Sequence, residues 1–245
     1  MPRPDGRAND QLRPVTITPH FQRGPAGSVL IEAGGTRVAC AVSVDTKVPP
    51  WLAGKGRGWL TAEYGMLPGS SPQRISRPIT KPDGRATEIQ RLIGRSLRAM
   101  VDLDRTGEIL LQVDCDVLDA DGGTRTAAIT GAAVAVVLAL ARVQAQGGLP
   151  PGPLPLHGLV AAVSVGLIDG EVRLDLPYAE DSRAEVDCNL VLTGAGEWIE
   201  VQATAEHGSF SPAILSEFLR LGEAGIRTLF AQQRAVLAAA GIAEF

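Results

Sequence analysis

Two glycines, a threonine and an arginine stand together at Gly122, Gly123, Thr124 and Arg125, within the stretch Asp119–Thr130, where a strand-like pattern gives way to a long apolar run. The order reads strand, tight turn, helix N-terminus. Unbonded backbone N–H groups and the positive end of a helix dipole meet at such a point, which suits a phosphate-sized anion. An arginine there adds a planar fork able to grip phosphate with two hydrogen bonds. Asp114, Asp116, Asp119 and Asp121 precede the turn and superficially resemble a calcium loop. A loop begun at Asp114 needs a carboxylate at its twelfth position, which is Arg125; one begun at Asp119 needs it at Thr130. Calcium is therefore excluded, and neither the GxxxxGK[ST] nor the GxGxxG phosphate motif occurs.

A second constellation runs from Leu174 to Asn189, with carboxylates at Asp175, Glu180, Asp181, Glu185 and Asp187. It reads as strand, turn, strand, and Asp181 and Asp187 flank the turn. Such a cluster is either a solvated acidic turn or a pair of working carboxylates. Beside a phosphate site a pair has two uses, one group holding a divalent metal and the other serving as general acid. His20, His157 and His207 are isolated and match no metal-ligand spacing. No Ser/His/Asp or Cys/His arrangement is recognisable, so covalent acyl chemistry is not expected.

The elements that must position these groups follow from hydrophobic periodicity. Val15–Thr18, Ser28–Glu32, Thr36–Val44 and Trp59–Tyr64 read as strands, with Gly34-Gly35 turning a hairpin. A loop rich in Pro, Gly and Ser follows from Leu67 to Gly84, long enough to carry function. Thr87–Val101 is predicted helical, its apolar stripe formed by Ile89, Leu92, Ile93, Leu97 and Met100. Glu108–Val117 is a strand leading into the glycine turn, and Ala127–Val143 a helix. After a Pro/Gly linker at Gly147–Pro155 the pattern restarts with strands Leu159–Val165, Val172–Leu176, Asn189–Thr193 and Trp198–Ala203. A long helix then runs from about Ser211 to Ala239, with Ser211 as N-cap and Pro212 at N1. Strands then helix, twice over, predicts two similar α+β halves packed as one unit, although no literal sequence repeat accompanies them.

At 245 residues, 45% hydrophobic and 20% charged, the chain has the composition of a soluble globular protein. Aromatics make up 4%, too few for base-stacking sheets of the RRM type. Cys40, Cys115 and Cys188 each sit in an apolar run, as expected of buried reduced thiols in a cytoplasmic protein. The polar N-terminus lacks the apolar core of a secretory signal. The longest apolar run, Ala127–Ala141, has 15 residues, short of the roughly 20 a membrane span needs, and no membrane partner is expected. Net charge is −4, but Met66–Met100 holds seven basic and two acidic residues, so it carries +5 and leaves −9 for the remainder. That asymmetry fits either a local polyanion site or a solvated helix face beside a basic loop.

Several ordered stretches together resemble the ribonuclease PH family of bacterial phosphorolytic 3′→5′ exoribonucleases. They are Arg3–Arg7, Leu12-Arg-Pro-Val-Thr16, Gly58–Pro68, Glu88–Arg98, Asp114–Leu118, Ala120–Ala127, Ala161–Gly166 and Glu200-Val-Gln202, and they cover nearly the whole chain. The resemblance implies an α+β fold built from a duplicated β-α-β unit like the second domain of ribosomal protein S5, over 1–245, with the halves meeting near 147–156. It implies trimming of tRNA precursors and other RNA 3′ ends, with inorganic phosphate as the attacking co-substrate and nucleoside diphosphate as product, and the reverse addition reaction. Gly123, Thr124 and Arg125 then bind phosphate together with Arg85. Asp187 becomes general acid, Asp181 positions or holds Mg²⁺, and both are candidate metal ligands. Arg74 and Arg77 correspond to the family's RNA-contacting loop arginines, and a homohexamer, a trimer of dimers, is implied. Gly69 and Ala203 depart from the family pattern, which more often has Arg and Gly there. A non-catalytic ring subunit of the same fold would lack the cradle or the carboxylates, and this chain keeps both. A small-molecule kinase of related fold would need a nucleotide-binding Gly/Ser loop, and none is visible.

Overall fold

A computed structural model describes residues 3–76 and 84–242. The first half builds a five-stranded sheet from β1 (Val15–Pro19), β2 (Gly27–Ala33), β3 (Thr36–Asp45), β4 (Trp59–Met66) and β5 (Leu110–Asp119), in the order β1-β2-β3-β5-β4. All pairs are antiparallel except β4 and β5, which run parallel because α1 (Gly84–Met100) connects them. The second half is a four-stranded sheet in the order β7-β6-β8-β9, from β6 (Val160–Ile168), β7 (Glu171–Leu174), β8 (Val186–Thr193) and β9 (Trp198–Ala205). Its neighbours are all antiparallel. The β-α-β unit implied by the resemblance is thus complete in the first half as β4–α1–β5. In the second it is reduced to β7–α3–β8, where α3 is one turn (Tyr178–Asp181) and the two parallel strands lie on either side of β6.

At the centre lies α2 (Thr124–Ala145), which packs on β2 and β3 of the first sheet, on β6 of the second, and on α1 and α4 (Pro212–Ala239). Having neighbours on every side explains why it is apolar all round rather than along one stripe. Among the described residues it is the one helix long and apolar enough to cross a membrane, and it is the buried core. Glycines bring it close to the sheet. A Cβ on Gly27 would fall 2.1 Å from the Ala135 carbonyl oxygen, and one on Gly131 2.7 Å from Ile31 Cγ2. Buried amide bonds tie the halves together: Gln233 of α4 donates from Nε2 to the carbonyls of Thr130 on α2 and Val160 on β6, at 2.9 Å each.

Several element boundaries differ from the sequence expectation. α1 begins at Gly84 rather than Thr87, because its polar first turn, Gly84-Arg85-Ala86, carries no apolar period. β8 begins at Val186 rather than Asn189, since β6 and β9 pair with it from both sides as far as that residue. Asp187 is therefore a strand residue, and it and Asp181 flank the turn between α3 and β8. β7 stops at Leu174, where Asp175 takes a left-handed φ of 55°. The cap of α4 is as expected, with Ser211 accepting from the Ile214 amide and Pro212 at the first helical position.

The tight approach of β2 to α2 can be tested by adding one methyl. Gly27→Ala should lose about 1–3 kcal/mol, seen as a melting temperature several degrees lower by circular dichroism, because both nearest atoms are backbone. Gly24→Ala, which meets nothing within 4 Å, should melt like the parent. Equal melting of the two variants would contradict this packing.

Candidate active site

The ends of β4 and β5, the first turns of α1 and α2, the one-turn α3 and the inner face of β6 and β8 converge on a cleft of about 510 Å³. Its lining includes Arg85, Gly122, Gly123, Thr124, Arg125, Asp181 and Asp187, so six expected residues meet in one place: Arg85, Gly123, Thr124, Arg125, Asp181 and Asp187. Gly122 and Gly123 both hold left-handed φ, 73° and 64°, which turns the chain from β5 into α2. No side chain caps α2 at Gly123, and Thr126 Oγ1 turns back to bond the Gly123 carbonyl. The helix thus presents its N-terminal amides and dipole beside Arg125, an arrangement suited to an anion. Gly122 has a second constraint, for a Cβ there would fall 2.3 Å from the Leu176 carbonyl oxygen.

The glycine turn is clamped from the far end of the sequence. Arg13 grips Asp175 from Nε and Nη2 at 3.0 and 2.6 Å, while its Nη1 donates to the Asp121 carbonyl at 2.5 Å. Thr36 Oγ1 donates to the Gly122 carbonyl at 2.6 Å and accepts from the Asp121 amide at 2.9 Å. Asp121 Oδ1 in turn accepts from the amide of Tyr178, which starts α3. Burial alone would raise the Asp175 carboxyl, but the hydrogen bonds and charge of Arg13 outweigh it and hold the pKa below the usual range. Glu180 is sealed between two more arginines, accepting from Arg3 at 3.2 and 2.8 Å and from Arg173 at 2.9 Å. The five carboxylates of the acidic stretch are therefore sorted by their partners. Asp175 and Glu180 are structural counter-ions, Glu185 caps the exposed turn at Gly170, and Asp181 and Asp187 face the cleft.

Asp187 and Asn189 lie two apart on β8 and share the cleft face, whereas Leu190 points to the other face, against Gly222 of α4. Asn189 Nδ2 donates to Asp187 Oδ2 at 3.2 Å. Burial pushes the Asp187 carboxyl up to about 6, and the nearby Asp181 adds to the rise against the pull of Arg125 and Asn189. Asp181 is raised as well, by burial, with Arg85, Arg125 and Arg13 opposing. The cleft thus juxtaposes cationic forks with two carboxyls inclined to keep a proton, a pairing suited to holding phosphate and protonating a leaving oxygen. At rest Arg125 donates to Gln202 Oε1 at 3.1 Å and lies 3.5 Å from Glu88.

Other expected residues fall elsewhere. Arg74 is exposed between Gln73 and Ile75, which line the cleft, and Arg77 lies outside the described residues. Of the helical arginines, Arg95 pairs with Glu200 at 2.8 Å and Arg98 sits 4.9 Å over the Trp59 ring, so part of the basic segment fastens α1 in place. Asp114 and Asp116 face a separate groove beside Glu63. Gly69 has open space around it and an ordinary φ, so a longer side chain would fit there. Nothing in the structure explains Ala203. Sequence reasoning assigned no role to Arg3, Arg13, Thr36, Asn189 or Gln202; the charged runs at Arg3–Arg7 and Arg13 were the available signal. The three cysteines are buried and unpaired.

The sequence matches the 3′ exoribonuclease family, domain 1 over residues 11–143 and domain 2 over residues 158–225. A ribonuclease PH of Syntrophomonas wolfei is 55% identical over 239 residues, which is 97% of this chain and 99% of that protein. Among solved structures, rice Rrp46 superposes with a TM-score of 0.79 at 22% identity, covering 96% of this chain and 100% of that one. A chain of the Archaeoglobus fulgidus exosome with RNA bound to the active site gives 0.78 at 22% identity, covering 94% and 92%. At such identity these two speak for the fold alone.

The raised Asp187 carboxyl has a consequence for stability. The folded state binds that proton more tightly than the unfolded chain, so the parent protein loses stability as pH rises from about 4 through about 6, and no more above. Asp187→Asn does not titrate in this window. In metal-free buffer it should melt above the parent at pH 7–8, by up to about 2–3 kcal/mol, with the gap closing toward pH 4. A gap independent of pH from 4 to 8 would show that the Asp187 carboxyl is not raised.

Proposed function

Since the chain belongs to the 3′ exoribonuclease (ribonuclease PH) family, we propose that this cleft is where it performs the family's phosphorolysis, and that the residues converging there divide the work. The protein is a phosphorolytic 3′→5′ exoribonuclease that trims tRNA precursors. Inorganic phosphate is its co-substrate. The observation that carries the assignment of the site is the meeting of Arg85, Gly123, Thr124 and Arg125 with Asp181 and Asp187 around one cavity.

In this reading the α2 amides, Thr124 and the Arg85 and Arg125 forks bind phosphate and aim one of its oxygens at the phosphorus of the 3′-terminal linkage. That oxygen forms the new P–O bond while the bond from phosphorus to the 3′-oxygen of the preceding nucleotide breaks. Asp187, poised to keep a proton, gives it to the departing 3′-oxygen; the product is a nucleoside 5′-diphosphate and an RNA one residue shorter. Bringing one anion onto another is opposed by their charge, which fixed guanidiniums offset without reorganising.

Among the described residues no group of three or more ligand side chains is placed to hold a metal. Two half-buried carboxyls that repel each other, beside a phosphate site, nevertheless fit Mg²⁺, which is commonly held by one or two carboxylates together with substrate phosphates. Asp181 would hold it, with Asp187 able to join only once that carboxyl has given up its proton, and the ion would supply charge neutralisation at the reacting phosphoryl group. Arg74, exposed between two residues of the cleft lining, and Arg77, on the resemblance alone, are assigned to the RNA backbone. The chain is read as one ribonuclease PH unit of two halves joined near 147–156, supported by a cleft built from both. A homohexamer is supported by the resemblance and by likeness in fold to exosome subunits, and a cytoplasmic location by the three unpaired cysteines.

The deciding assay incubates a 3′-extended tRNA and Mg²⁺ with and without inorganic phosphate. Shortening should require phosphate and yield diphosphates; equal shortening without it, yielding monophosphates, would defeat the reading. Arg125→Ala should abolish activity while the fold persists, and near-normal turnover would mean the site is misplaced. Arg74→Ala with Arg77→Ala should weaken tRNA binding, most at low salt and with a shallower salt dependence than the parent, and affect short oligonucleotides less.

A further inference from the structure

Tyr64 belongs neither to the arginines nor to the carboxylates of the cleft. It lies near the C-terminal end of β4, is 6% exposed, and its hydroxyl sits 2.8 Å from Thr124 Oγ1. Thr124, 7% exposed, is the first residue of α2 and lines the cleft. Two hydroxyls joined by one hydrogen bond own two protons, so one proton lies between the oxygens and the other must point elsewhere. A phenol is the stronger acid and the weaker acceptor of the two, which directs its proton to the threonine oxygen. Burial raises Tyr64 above the usual phenol range, against the pull of Arg85 and Arg125, so it stays protonated and remains a donor at any working pH. The threonine proton is then left to turn toward the cleft.

We infer that Tyr64 is a positioning residue for the phosphate co-substrate: its O–H donates to Thr124 Oγ1 and so presents the threonine O–H as a donor to a phosphate oxygen. This rests on the reading of Thr124 as a phosphate ligand and adds a second, buried link behind it. Each donor in such a chain polarises the next, and the chain is shielded from water at its tyrosine end. The arrangement favours an acceptor in the cleft, which an anion supplies with all its oxygens.

Tyr64→Phe removes one oxygen and keeps the ring. The KM for phosphate should rise about three- to tenfold, the range one net hydrogen bond spans. kcat at saturating phosphate and KM for the RNA 3′ end should stay at parental values. In the direction of nucleotide addition, KM for the nucleoside diphosphate should rise in parallel. A Tyr64 that only fills space would lower the melting temperature and leave the phosphate KM unchanged, and that result would overturn the inference. Thr124→Val reads the same chain from its other end, and adding Tyr64→Phe to it should cost nothing further; additive losses would refute the coupling. Binding without turnover is followed by the rise in melting temperature that inorganic phosphate produces. If the parent shows no rise, the phosphate site itself falls. If the parent shows one and Tyr64→Phe keeps it in full, only the role of Tyr64 falls.

Discussion

One guanidinium, that of Arg13, is closed in between the Asp175 carboxylate of the second half and the backbone carbonyls of the glycine turn in the first. Removing either charge would strand the other in a region with little water, a far larger penalty than the net worth of the pair. The bond therefore acts less as a source of stability than as a specification of geometry. It sets where Gly122 and Gly123 stand, hence where α2 begins, hence where Arg125 points. Through Asp121 and the Tyr178 amide it also sets where α3 begins, hence where Asp181 stands. The Arg3–Glu180–Arg173 cluster repeats the device one residue away from Asp181. Both sides of the cleft are thus hung from buried ion pairs that never face the solvent.

The cleft itself shows the opposite use of charge. Its carboxyls are desolvated without a bonded guanidinium, and so they rise, while Asp175, equally acidic in isolation, is held down by Arg13. Six and twelve residues of chain separate Asp175 from Asp181 and Asp187. The contrast is one of partners rather than of residue type, as expected where environment decides which acid holds its proton to higher pH.

The strand, glycine turn and helix start could be read from residues 119–130, since glycine, threonine and arginine at such a junction are a local pattern that needs no distant contact. The acidic side was only half legible. Five carboxylates were visible, but what sorts them are arginines at positions 3 and 13, up to 177 residues away, and no local pattern carries that information. The short α3 escaped because four residues cannot show a helical period, and β8 was read too short because its first residues are charged or polar on one face for the sake of the site. Tyr64 looked like any strand aromatic. Its hydroxyl contact with Thr124 depends on how β4 and α2 converge, which only the packed fold decides. The central helix was legible as buried, yet the glycines of β2 and α2 that let it sit so close had no signature beyond their small size.

The division of the cleft between two stretches of chain also orders events in time. The cradle and its arginines come first in the chain, where Arg13 still lacks its carboxylate and, of the two side chains that clamp the turn, Thr36 alone has a settled position. Asp181 and Asp187 follow only after the Gly147–Pro155 linker and β6, and Asp187 finds its place when β8 pairs across Gly166. A partly made chain thus carries the glycine turn and its arginines but not the two carboxyls that face them across the cleft. The cleft is therefore complete only once nearly four-fifths of the sequence, through β8, is in place.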